Sequence, residues 1–320
     1  MPHFKFRPLY QARVWGGRGL AQVLGRTLPV AGPVGESWEI VDRPEAQSVV
    51  DHGPRAGQTL QDLVRTLGAE LMGPAWPSGR RFPILVKWLD CRERLSLQLH
   101  PPAAVAAALA GEPKTENWYV VRAASGAAVL AGLKPGLGRD DLAQALQRGT
   151  VEACIRRLPV QAGDSLLVHS GVMHAIDAGC LILEVQQNSD TTYRVDDWGR
   201  TGLDGRPRQL HLAQALACLD AMPEEECRLV SSSGPATALL AECAAFRLIR
   251  HVLPPGGQLR YRPGTEPRIL SVVEGTLADR SGGRVPAGDN LLLPAAGDFL
   301  FVAEDQAVVL VTEGFARPPA

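Results

Sequence analysis

The strongest constraint on this chain is a stretch of sequence that it uses twice. Val160-Gln-Ala-Gly-Asp-Ser-Leu-Leu-Val-His169 is echoed by Val285-Pro-Ala-Gly-Asp-Asn-Leu-Leu-Leu-Pro294. Each copy reads as a Gly-Asp turn feeding an apolar strand. Each also follows a matching apolar strand, Glu116-Asn-Trp-Tyr-Val-Val-Arg122 in the first case and Arg268-Ile-Leu-Ser-Val-Val-Glu-Gly275 in the second. Two copies of one strand–turn–strand unit predict two β modules in tandem. The 320 residues leave room for both, at roughly 100–200 residues per domain.

The paired strand motifs resemble those of a cupin, a small double-sheet jelly roll. The expected fold class is therefore mainly β, with cupin modules in tandem and a few helices. The first module is expected at 1–235 and the second at 240–320, with a joint near Met222–Pro235. Prolines (25) and glycines (33) are spread between short Val/Leu/Ile-rich runs rather than pooled, as an all-β core requires. Strands are expected at 82–89, 95–99, 118–122, 127–133, 165–169 and 181–187. Helices are expected at 58–67, 102–109, 139–147, 150–158 and 211–219. His169 and His174 fall opposite Pro294 and Phe299 in the echo, so any metal chemistry belongs to the first module and the second is metal-free.

Composition removes several function classes. Thirty-three Lys and Arg against 34 Asp and Glu give a net charge of −1, without the broad attraction to nucleic acid or anionic lipid that a basic chain has. No helix-turn-helix, RNA-binding signature or basic arm stands out, so no nucleic-acid partner is expected. No apolar run of about 18 residues offers a membrane span, and the N-terminus has no signal-peptide pattern. The six cysteines are scattered without a CxxC pair, the pattern of free thiols in a reducing compartment. A cytoplasmic location is expected, and the oligomeric state is left open.

Chemistry concentrates in Gln98-Leu-His100, Glu116 and His174. Residues i and i+2 of a strand share a face, so Gln98 and His100 look into one cavity. A lone His is more often a core residue than a ligand. Two imidazoles, a carboxylate and an amide oxygen without a thiolate, however, suit a borderline divalent ion such as zinc with an open position. Cations surround this set. Lys114 lies two residues before Glu116, Lys87 is the one charge in Phe82-Pro-Ile-Leu-Val-Lys-Trp-Leu89, and Arg194 follows a strand that carries Glu184. A buried Lys is costly unless paired or functional, and an acidic or phosphorylated substrate would draw these cations together. Glu36 and Glu39 are further candidates for the same cavity.

The order of these blocks resembles the type I mannose-6-phosphate isomerases in their short, two-cupin bacterial form. The resemblance runs over Arg13-Val-Trp-Gly-Gly17, Gly35-Glu-Ser-Trp-Glu39, Pro83-Ile-Leu-Val-Lys-Trp-Leu-Asp90 and Arg94-Leu-Ser-Leu-Gln-Leu-His-Pro101. It continues through Lys114-Thr-Glu-Asn-Trp-Tyr119, His169-Ser-Gly-Val-Met-His-Ala175, Glu184-Val-Gln-Gln-Asn-Ser-Asp-Thr-Thr-Tyr-Arg194 and Asp197-Trp-Gly-Arg200. It covers about residues 10–215 and thins past 240. It implies one zinc held by Gln98, His100, Glu116 and His174, with Arg194 catalytic and Lys87 and Lys114 near the substrate. Ser96 matches a serine that contacts the substrate phosphate. Pro113 stands where the family usually has Gly, and the large helical insertion of longer members is missing.

The activity implied is interconversion of mannose 6-phosphate and fructose 6-phosphate through a cis-enediol. The base stays open among Lys114, a metal-bound water and Glu184, with Lys114 slightly ahead; Glu184 also borders the substrate. Two competing readings are a phosphosugar-binding sensor without turnover and a cupin metal oxygenase.

Overall fold

A computed structural model describes residues 1–221, 227–231 and 233–316. The chain divides into two compact units, Tyr10–Ser37 with Lys87–Ser232, and Met1–Leu9 with Trp38–Val86 and Ser233–Ala320. Chain order and compact units thus do not coincide. Of the predicted joint Met222–Pro235, residues 222–226 and 232 lie outside the described residues.

Both units carry the same mainly β framework, the double sheet of a cupin. In the first, one sheet orders its strands Leu229–Val230, Ser165–Val168, Glu116–Ala123, Cys180–Gln187, Ile84–Cys91, Val34–Ile40 and Leu9–Gly17, the unit boundaries falling within the last three. The second unit repeats the first six places with Phe4–Lys5, Asn290–Leu293, Arg268–Glu274, Ala307–Glu313, Arg247–Leu253 and Thr237–Glu242. The opposing sheet of the first unit runs Tyr193–Asp196, Leu97–Leu99, His174–Ile176, Ala128–Leu133 and Ile155–Pro159. Its counterpart runs Gln258–Tyr261, Phe299–Ala303, Thr276–Asp279 and Arg284–Pro286.

The sequence echo is the covalent trace of this repeat. Glu116 pairs with Val168 and Tyr119 with Ser165, while Arg268 pairs with Leu293 and Ser271 with Asn290. The turns close identically. Gly163 N donates to Val120 O at 2.7 Å and Gly288 N to Val272 O at 2.8 Å, and the return bonds from Val120 N and Val272 N reach Asp164 O and Asp289 O. Gly163 and Gly288 have φ of 91° and 97°, the left-handed region where a side chain is strained.

Strand alternation places the site. Leu97 and Leu99, Met173 and Ala175, and Tyr193 and Val195 bury one face of their sheet in a core shared with Leu142, Ala145 and Leu146. Those three lie at helical i, i+3, i+4 spacing on the helix Arg139–Arg148. The period of two turns the residues between them, Gln98, His174 and Arg194, toward the opposite face. There a second core of Trp15, Trp118, Val129, Ala131 and Ile182 fills the sandwich.

The helix predicted at 150–158 is instead a short 3-10 turn, Val151–Cys154, followed by the strand Ile155–Pro159. That strand pairs with Ala128–Leu133 at the sheet edge. Past the buried Ile155 its burial alternates, Arg156 and Leu158 half-buried and Arg157 and Pro159 exposed, so ladder bonds and a half-buried face outweigh local helical propensity. No described helix is long and apolar enough to cross a membrane. The six cysteines are free, five of them buried.

Candidate metal centre and substrate cleft

Three donors converge inside the first unit. His100, just past the strand Leu97–Leu99, His174 at the start of its strand and Glu116 at the start of its own are all fully buried. One ligand atom from each lies within 4.8 Å of the others. His100 Nδ1 is 2.8 Å from Thr191 O and His174 Nδ1 is 2.8 Å from Val172 O. A carbonyl only accepts, so each ring donates from Nδ1 and points an Nε2 lone pair inward. Burial keeps both imidazoles neutral, lowering His174 and bringing His100 down to about 3.

These lone pairs meet another acceptor. His100 Nε2 is 3.3 Å from Glu116 Oε2, and His174 Nε2 is 3.4 Å from Oε1. Neither Glu116 oxygen receives a well-directed hydrogen bond, although Lys114 Nζ lies 2.7 Å from Oε2. Burial would raise the Glu116 carboxyl, but the Lys114 ammonium overrides it and holds it well below the carboxylate range. Two neutral imidazole lone pairs aimed at one carboxylate form a set that a dication satisfies. The residues fit a metal.

Gln98 borders this set. It pairs in register with His174 on one side and Arg194 on the other. Its amide Nε2 lies 3.4 Å from His174 Nε2, while Oε1 accepts a bond from Ser96 Oγ at 3.2 Å. Turning the amide over would present Oε1 to the imidazoles, with Nε2 then donating to Ser96 Oγ.

Gln98 and Lys114, which touch this set, line a cleft of about 600 Å³ together with Lys87, Ser96, Glu184 and Arg194. Lys87 is buried, with Nζ 3.7 Å from Glu184 Oε1 and 3.9 Å from Asp190 Oδ1. Lys114 Nζ is 3.2 Å from His100 Nε2 and 4.0 Å from Glu184 Oε1. Burial would lower this ammonium, yet Glu116 and Glu184 together hold it above its ordinary range. Burial pushes the Glu184 carboxyl up; its Oε2 accepts from Trp118 Nε1 at 3.0 Å. Arg194 gives one Nη1 bond to Gln209 O at 2.9 Å, and its buried Nε has no hydrogen-bond partner.

Glu36 lines the cleft, whereas Glu39 belongs to the other unit, where Asn290 Nδ2 donates to it. The residues missed at the sequence level are Arg13, Asp190, Thr192 and Arg208. Arg13 grips Glu36 through Nε at 2.9 Å and Nη2 at 3.2 Å. It stands in Arg13-Val-Trp-Gly-Gly17, a block already singled out, and that was its available signal.

In the second unit the corresponding places are filled differently. Tyr261 pairs with Phe299 as Gln98 does with His174, and Arg268 holds the register of Glu116. The Arg268 guanidinium lies 5.1 Å from the Tyr261 ring centroid and 3.1 Å from Glu313 Oε2. An internal ion pair and an aromatic lid replace the donor set.

Comparison with known proteins agrees with this architecture. A family model for the catalytic domain of type I phosphomannose isomerase matches residues 3–122. The chain is 35% identical over 317 residues to the mannose-6-phosphate isomerase ManA of Bacillus subtilis, covering 95% of this chain and 97% of that protein. It is 40% identical over 208 residues to a mannose-6-phosphate isomerase of Streptococcus mutans, 65% of this chain and 64% of that one. A crystal structure of the mannose 6-phosphate isomerase from Bacillus subtilis matches with a TM-score of 0.83 at 28% identity, over 98% of this chain and all of that one. The full-length relationship and the repeated double sheet place this chain among the type I mannose-6-phosphate isomerases, a family of isomerases.

Proposed function

We propose that the protein is a zinc-dependent aldose–ketose isomerase that interconverts mannose 6-phosphate and fructose 6-phosphate through a cis-enediol. The observation that carries the reading is the buried triad His100, Glu116 and His174, acceptor facing acceptor, beside a cleft walled by Lys87, Lys114 and Arg194. Gln98 completes the ligand set through its amide oxygen. A bound zinc supplies Lewis-acid polarisation of the carbonyl and a template for the neighbouring hydroxyls.

The chain's own side chains do the rest. The reaction moves a proton between C1 and C2, and the negative charge that grows on the sugar oxygens must be met. Arg194, whose Nε is unengaged, stabilises that charge. Lys114 Nζ lies 2.7 Å from Glu116 Oε2 and 4.0 Å from Glu184 Oε1; the two carboxylates keep it an ammonium, so it enters the exchange as an acid that gives a proton to the sugar oxygens and takes it back. Glu184 borders the substrate and keeps Lys87 and Lys114 in place. Lys87 and Ser96 bind the anionic end. A free-thiol chain of this kind suits the cytoplasm.

The test is metal analysis of the purified protein beside a coupled assay that follows fructose 6-phosphate to mannose 6-phosphate. Turnover that disappears on chelation and returns with zinc supports the reading. Equilibrium binding of fructose 6-phosphate without any turnover by the zinc-loaded protein would defeat it.

A further inference from the structure

The cleft is lined by Arg13, Arg194 and Arg208 as well as by the lysines beside the donor set. The segment 207–211 lies alongside the strand Tyr193–Asp196 and is tied to one residue of it. His211 N donates to Arg194 O at 2.7 Å, Arg194 N donates to His211 Nδ1 at 3.1 Å, and Arg194 Nη1 donates to Gln209 O at 2.9 Å. This lacing sets Arg208 beside Arg194, and both line the cleft.

Arg208 is held by a buried carboxylate. Its Nε donates to Asp197 Oδ2 at 2.7 Å and its Nη2 to Asp197 Oδ1. Asp197 also accepts from Arg200 Nη2 at 2.8 Å, so one carboxylate serves two guanidiniums. Asp197 is itself fixed by an unusual turn. Trp198 has φ of 59°, a costly conformation for an aromatic residue, and its indole Nε1 donates to Leu95 O at 2.7 Å. Arg200 and Arg208 thus share a single acid, with the Arg194 guanidinium turned to Gln209 O on the neighbouring segment, an arrangement that an anion at the cleft would complement.

We infer that Arg208, oriented by Asp197, is a specificity-determining residue that grips the phosphate monoester of the substrate. Its fork is fixed at one edge by Asp197, and the remaining N–H groups suit a tetrahedral oxyanion. Asp197 is a positioning residue, acting only through the arginines. The inference rests on the isomerase reading for its substrate but not for its measurement.

The test uses the zinc-loaded full chain and two readouts. One is KM and kcat with fructose 6-phosphate, and the other is calorimetric binding of inorganic phosphate. Arg208→Ala is expected to raise KM and the phosphate Kd together by roughly 10- to 100-fold, with kcat changed by less than about threefold. Arg208→Lys keeps the charge, loses the fork and recovers only part of the loss. Asp197→Asn weakens phosphate binding, and the double variant Asp197→Asn/Arg208→Ala binds no worse than Arg208→Ala alone. A folded Arg208→Ala or Arg208→Lys protein with the parent's phosphate Kd overturns the inference, as does full additivity in the double variant. If the parent binds phosphate through Arg208 yet isomerises no hexose phosphate, the proposed function fails and the anion grip stands.

Discussion

His174 and Gln98 are register partners on adjacent antiparallel strands, so the imidazole and the amide are neighbours by ladder geometry and not by loop placement. Gln98→Leu should therefore leave His174 in position and remove only the fourth donor. The expected outcome is a zinc affinity lower by roughly 10- to 100-fold with residual activity at saturating metal. Titration with a competing chelator measures it, and unchanged affinity would remove Gln98 from the ligand set.

The two imidazoles should matter more. His100→Ala or His174→Ala deletes one of three buried donors and leaves the others facing each other without their shared partner. Each variant should emerge from chelation and desalting without recoverable metal and with activity lost. Full turnover after that treatment would sink the metal assignment.

Lys114 would be both a neighbour and a competitor of the proposed metal, since its ammonium lies 2.7 Å from Glu116 Oε2. Lys114→Met removes a like charge from the dication's surroundings. This variant should hold zinc at least as tightly as the parent while kcat falls by about two orders of magnitude or more. A variant that keeps its kcat would strip Lys114 of any part in proton transfer.

Lys87 is expected to act through binding. Lys87→Met should chiefly raise KM for the phosphosugar, because its charge serves ground state and transition state alike. A variant whose KM matches the parent's would show that Lys87 does not touch the substrate.

Acidity should weaken the metal-free protein. Burial lowers His174 and brings His100 to about 3 from an unfolded value of 6.5. Between these limits the unfolded chain takes up protons that the folded one refuses. Stability is then full above about 6.5 and drains away as the pH falls toward about 3. Thermal melts of chelator-treated protein across that range provide the measurement, and His100→Asn should flatten the slope.

Much of this was legible in the sequence because strand alternation is strict. Gln98 and His100 share a face by spacing alone, and the Gly-Asp echo locates both jelly rolls through their turns. The helix predicted at 150–158 failed because Ile155 had a sheet edge to join, which no local pattern announces. Glu39 was misplaced for a related reason. It shares a five-residue block with Glu36, yet Glu36 meets Arg13 whereas Glu39 meets Asn290. Arg208 escaped notice because an arginine between Pro207 and Gln209 reads as ordinary surface charge. Only the tertiary pairing of its segment with Arg194 brings it to the cleft.

The pairing of Arg268 with Glu313 beneath Tyr261 carries a consequence for handling the protein. The same framework, run a second time in one polypeptide, closes around the Arg268 guanidinium. Metal at the first framework is then a reagent and not a keystone: stripping it should leave an intact, inactive shell that regains its chemistry on resupply without passing through refolding.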